Sequence, residues 1–141
     1  MDISVDNSKR RDSSIRALNL LSSDGLDGAA IMVEREIEKE PDCWEAWAAK
    51  ADILYFQKEY AAPLECCDIA LRLNPDNALA WNTKGNALYR LDRYEEAITC
   101  YNRAIETEPL FIRAWYNKRL ALEVHLKKST SKISIRTASK R

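Results

Sequence analysis

Residues 78–109 read ALAWNTKGNALYRLDRYEEAITCYNRAIETEP, and the stretch recurs along the chain. Shifted back by 34 residues, Trp81 falls on Trp47, Ala80 on Ala46, Tyr94 on Tyr60, Ala104 on Ala70, Ile105 on Leu71 and Pro109 on Pro75. Shifted forward by 34, Ala80-Trp81 falls on Ala114-Trp115, and Pro41 completes the series Pro41, Pro75, Pro109. Matching residue types at one fixed period describe stacked copies of a supersecondary unit rather than one irregular core.

Each unit divides into two helices. In the quoted copy the spacing predicts helices over about 78–91 and 94–107, separated by the turn Leu91-Asp92-Arg93 and preceded by Asn74-Pro75-Asp76-Asn77. Trp81, Gly85 and Leu88 should face Ala97, Tyr101 and Ala104. The copy before it places helices at about 44–57 and 60–73, with Trp47, Ala51 and Leu54 opposite Leu64, Cys67, Ala70 and Leu71. Ala51 and Gly85 occupy equivalent positions, and both are small because the two helices of a hairpin cross closely there. Pro63 stands where Ala97 stands, so that helix should begin at about Tyr60 or Ala61, leaving the proline in its first turn.

Working outward, Ile15, Leu18 and Leu21 predict a helix over 13–22, and the turn cluster Ser22-Ser23-Asp24-Gly25 leads to a second over about Leu26–Lys39. This first copy is degenerate, with Ser13 for the tryptophan and Leu26 for the tyrosine, as suits a terminal unit facing water. Towards the other end a helix is expected over about 112–127, with Arg119 at the small-residue position and Trp115 buried against the preceding pair. It reads as a capping helix. Residues 1–12 read as a flexible arm, and 128–141 as a basic, disordered tail rich in Ser, Thr and Lys.

The Trp, Gly, Tyr, Ala, Tyr, Ala, Pro pattern at this period resembles the tetratricopeptide repeat family, across roughly residues 13–126. The resemblance implies an all-α, right-handed superhelix (an α-solenoid) of three helix-turn-helix repeats, at about 10–43, 44–77 and 78–111, with a C-terminal capping helix. It also implies that the first helix of each pair lines a concave groove and the second forms the convex back.

Composition agrees with a helical domain having its own core. The chain has 141 residues, 46% apolar and 31% charged, with three glycines and four prolines. Lys plus Arg and Asp plus Glu each number 22. Six of the basic residues lie in 127–141, where no acid occurs, so the tail is basic and the body acidic. No apolar run reaches the ~20 residues a bilayer span needs, and the N-terminus shows no secretory signal. Cys43, Cys66, Cys67 and Cys100 form no CxxC pair and read as free thiols of a cytoplasmic protein.

Little in the chain suggests catalysis. His125 is the lone histidine, and no ligand cluster, nucleophile elbow or phosphate-cradling glycine loop is present. No cofactor, metal site or enzymatic activity is expected. The function implied by the resemblance is that of an adaptor holding an extended or helical segment of another protein. The groove residues expected to carry this are Asp52, Tyr55, Asn82, Asn86, Tyr89, Arg90, Arg113, Tyr116 and Asn117. The asparagines could bond a peptide backbone. Arg90 and Arg113 could hold carboxylates, giving the segment acidic character. The tyrosines supply flat contact area at low entropic cost. Ala48, Ala49, Leu79, Thr83 and Leu120 belong to the same expected wall.

Some members of this family grip acidic C-terminal tails of cytosolic chaperones with a Lys, Asn, Asn, Lys, Arg set. Mapped here, that set becomes Ala48, Asp52, Thr83, Arg113 and Asn117, or one repeat earlier Ser14, Leu18, Ala49, Leu79 and Thr83. Neither rebuilds the grip. Two other readings stay open: nucleic-acid or anionic-surface association through the basic tail, and self-association through the repeat ends, with Leu120 and Val124 in the contact.

Overall fold

The computed structural model describes residues 25–140. The expected arm over 1–12 and helix over 13–22 lie outside the described residues. Six helices follow in order: α1 Leu26–Lys39, α2 Trp44–Phe56, α3 Ala62–Leu73, α4 Ala78–Arg90, α5 Tyr94–Thr107 and α6 Ile112–Ser139. No strand occurs among the described residues. Each helix packs on its sequence neighbour, and α2, α4 and α6 also touch along the stack.

The hairpins close by the same local chemistry. After α2, Lys58 adopts φ 64°, Lys58 N donates to Tyr55 O and Glu59 N to Leu54 O. One period later Asp92 adopts φ 60°, Asp92 N donates to Tyr89 O and Arg93 N to Leu88 O. Each pair of bonds satisfies carbonyls that the helix end leaves open, with a left-handed residue turning the chain. Asn77 caps α4, its Oδ1 accepting from Ala80 N at 3.2 Å. Pro63 lies in the first turn of α3 as expected.

The repeat period also has a physical tie. The indole Nε1 of Trp47 donates to Pro41 O at 2.8 Å, that of Trp81 to Pro75 O at 3.0 Å, and that of Trp115 to Pro109 O at 2.9 Å. Each tryptophan thereby pins the turn that leads into its own helix.

Packing within the third pair turns on Gly85. A Cβ placed there would stand 2.5 Å from Tyr101 Cε1 and 2.8 Å from Cδ1. The tyrosine is buried in a cluster with Leu88, Ala97, Cys100 and Ala121, the last supplied by α6. Ala51 plays the matching part in the second pair, packed with Cys66 and Cys67 under Trp47 and Leu54.

Two expectations at the C-terminal end are corrected. The chain over 128–139 continues α6 without a break instead of forming a disordered tail. Nothing in KKSTSKISIRTAS breaks a helix, and Lys128 ties it to the body, donating to Tyr94 Oη at 3.1 Å beside Asp92 at 3.5 Å. Trp115, expected to be buried, is 51% exposed. Ala114 and Ala121 carry the buried face of α6, and Trp115 points away from them.

Candidate functional site

Residues of the first helices α2, α4 and α6 form a linked wall, and hydrogen bonds between the helices set its geometry. Thr83 Oγ1 on α4 donates to Asp52 Oδ1 on α2 at 2.7 Å. Burial pushes the Asp52 carboxyl up to about 6, against the opposing effects of the Thr83 bond and the nearby Arg113. Asn117 on α6 donates through Nδ2 to Asn82 Oδ1 and to Asn86 Oδ1, both at 3.0 Å. Tyr101 Oη also donates to Asn86 Oδ1, at 2.8 Å, reaching through from α5.

A cleft of about 200 Å³ opens on this wall, lined by Tyr55, Asn86, Tyr89, Arg90, Tyr101, Asn117 and Leu120. Its rim is aromatic. Tyr55 meets Tyr60 edge-on at 5.5 Å, and Tyr89 meets Tyr94 at 5.4 Å. Burial raises the Tyr55 hydroxyl above its ordinary value, with Arg90 opposing, so the phenol stays protonated. Arg90 lies 4.8 Å over the Tyr60 ring and donates to its hydroxyl at 2.9 Å. That contact aims an exposed guanidinium at the cleft with no carboxylate among the lining residues. The Asn86 Nδ2 donors have no hydrogen-bond partner among the described residues.

Five of the nine expected residues therefore meet at one cleft: Tyr55, Asn86, Tyr89, Arg90 and Asn117. The others do not join them. Asn82 is buried, and its carbonyl is used in holding α6, so it is not a free amide on the wall. Asp52 is engaged by Thr83. Arg113 and Tyr116 are exposed, with Arg119 stacked 5.4 Å over the Tyr116 ring. Ala48 and Ala49 are core rather than groove residues. Sequence reasoning missed Tyr60 and Tyr101 as cleft partners. Both were visible as pattern tyrosines, but a pattern position assigns packing and says nothing of where a hydroxyl ends.

The four thiols are buried and free. Burial raises Cys43, Cys66 and Cys67, and takes Cys100 up to about 11, all away from thiolate. Among the described residues no three His, Cys, Asp or Glu side chains are placed to hold a metal. No helix among them is long and apolar enough to cross a membrane.

Two family models for the tetratricopeptide repeat match this chain, one over residues 16–78 and one over 78–110. The chain belongs to the tetratricopeptide repeat family. Solved structures agree on the fold. The first TPR of Spaghetti (RPAP3), bound to the HSP90 peptide SRMEEVD, superposes with TM-score 0.77 at 22% identity, covering 89% of this chain and 99% of that one. The first TPR domain of human RPAP3 gives 0.79 at 21%, covering 86% and 96%. The Hsp90 co-chaperone Cns1 from Saccharomyces cerevisiae gives 0.79 at 18%, covering 96% of this chain and 45% of that one. Identities this low establish a shared repeat architecture. Among curated proteins none matches.

Proposed function

We propose that this chain is a non-catalytic interaction module that holds a peptide segment of a partner protein against the wall of α2, α4 and α6. The observation that carries the reading is the cleft, where a guanidinium, two aromatic faces and unused amide donors converge without a carboxylate. Such a set fits a segment with an acidic side chain beside an apolar one. The Spaghetti (RPAP3) neighbour is bound to an acidic peptide, SRMEEVD, which supports the class of ligand. The mode of grip differs from the Lys, Asn, Asn, Lys, Arg set, because Asp52 and Thr83 at two of its positions bond each other. The buried free thiols suit a reducing compartment, and we take the cytoplasm as the site of action.

An array of labelled peptides, acidic against amidated counterparts, tests this. Acidic peptides should bind with micromolar affinity, about −8 kcal/mol. Arg90→Glu combined with Tyr89→Ala should weaken that binding at least tenfold while circular dichroism stays unchanged. Undiminished binding by the double variant moves the site off this cleft.

A further inference from the structure

The end of the stack is built as the first half of a repeat whose second half is absent from the described residues. Trp47 and Trp81 pack against residues of α3 and α5, whereas Trp115 stays half exposed. The absence follows from the chain itself. Where Lys58 and Asp92 turn the two hairpins, α6 has Leu126 and remains helical to Ser139. A hairpin partner therefore cannot fold back at the usual point.

The uncovered face is patterned. Trp115, Leu122, Leu126 and Ile133 recur at spacings of seven, four and seven, the seam that pairs one helix with another. Their exposures of 51%, 37%, 59% and 61% make the seam continuous over ~27 Å.

Its flanks are cationic and lack an acid from a neighbouring helix among the described residues. In the earlier repeats the equivalent lysine sits over the tryptophan and pairs with an acid of the preceding helix: Lys50 with Glu34 at 2.7 Å, Lys84 with Asp68 at 2.6 Å. Lys118 keeps its place 5.5 Å over Trp115, but one period beyond Asp68 stands Asn102, and no acid meets Lys118 among the described residues. Arg119, on the other flank, replaces the small residue of Ala51 and Gly85; it stacks over Tyr116, and its one ion pair among the described residues is a long contact to Glu123 at 3.9 Å within the same helix. Over its length α6 holds seven basic residues and one acidic.

We propose that the Trp115–Ile133 seam of α6 docks an amphipathic helix from a partner protein whose flanks are acidic, completing the fourth repeat in trans. A second copy of α6 would set like charges against each other. A lipid surface needs a broad apolar face, whereas this seam is narrow and bordered by Lys118 and Arg119. The larger notch of about 460 Å³ beside Lys128 is not the site, because it is polar and most of its charges pair internally, Arg93 with Glu96 at 2.6 Å and Lys128 with Asp92 at 3.5 Å.

The test uses the full chain and two synthetic helices with leucines at identical seam positions, one flanked by glutamates and one by lysines. Fluorescence anisotropy should show the glutamate helix binding at micromolar concentration, at least tenfold tighter than the lysine helix, and weakening with salt. Leu126→Ser with Ile133→Ser, and separately Arg119→Glu, should each weaken it at least tenfold with circular dichroism unchanged. Arg90→Glu in the cleft should leave it intact, which separates this site from the one proposed above. Equal binding of both helices, or full binding by the seam variant, overturns the proposal. So does preferential binding to phosphatidylserine/phosphatidylcholine vesicles. Concentration-dependent dimerisation abolished by the seam variant would instead assign the seam to a second copy.

Discussion

Gly85 shows how a missing side chain sets a helix crossing. Replacing it with alanine in an ordinary helix gains up to about 1 kcal/mol. Here the added Cβ would overlap the Tyr101 ring, which is held by its hydroxyl on Asn86. Gly85→Leu should therefore destabilise the chain by about 1–3 kcal/mol or more through overpacking, seen as a lowered Tm; an unchanged Tm would contradict the packing described. Asp52 makes the opposite case, a partly buried carboxyl that costs stability. Its folded pKa lies above its unfolded value, so the folded chain holds the proton more tightly. Its contribution then worsens as pH rises from about 4 to about 6, by at most about 3 kcal/mol, and stays unfavourable above that. Asp52→Asn should stabilise the chain at pH 7 and leave it little changed at pH 4. Urea midpoints of both proteins at the two pH values decide this, and equal differences would rule out the titration.

At the scale of elements, α6 is attached by few but specific contacts. Asn117 bridges it to α4 through Asn82 and Asn86, while Ala114 and Ala121 supply its buried face. Asn117→Ala would leave the buried Asn82 carbonyl unpartnered, a cost of about 1–3 kcal/mol. We expect amide exchange of α6 over 112–126 to accelerate while α2 and α3 keep their protection. Uniform acceleration would mean that α6 does not open on its own. The far part of α6 is tied to the body by exposed pairs such as Lys128 with Asp92, which water and salt screen. Ending the chain after Leu126, which removes Lys128 with the rest of that run, should thus lower helicity but barely shift the Tm.

Across the whole molecule, stability runs along the stack, since each repeat rests only on its neighbours. The Gly85→Leu lesion should spread unevenly, with protection in α4 and α5 falling most and α1 least, where Ala29 and Val33 pack on Ala49 and Ile53. Exchange measured by mass spectrometry would show this gradient, and an equal loss in every helix would mark a single cooperative unit. The same linear layout separates two surfaces. The cleft lies along the first helices, and the α6 seam lies at the end of the stack.

The architecture was legible because a 34-residue period carries its own reading. Tryptophan, the small residue, tyrosine and proline return in step, and turns fall where Lys58 and Asp92 reverse the chain. Periodicity places a residue on a face, and for the core that suffices, because apolar burial has no preferred direction. Polar side chains are decided by their neighbours. Asn82 and Asn86 share a helix and a wall, yet one is buried under Asn117 and the other lines the cleft. Tyr60 and Tyr101 enter the site through hydroxyls whose reach only the packed helices determine. The helical run over 128–139 likewise depended on tertiary structure: its composition alone reads as unfolded, and its anchor on Tyr94 and Asp92 comes from residues more than thirty positions away.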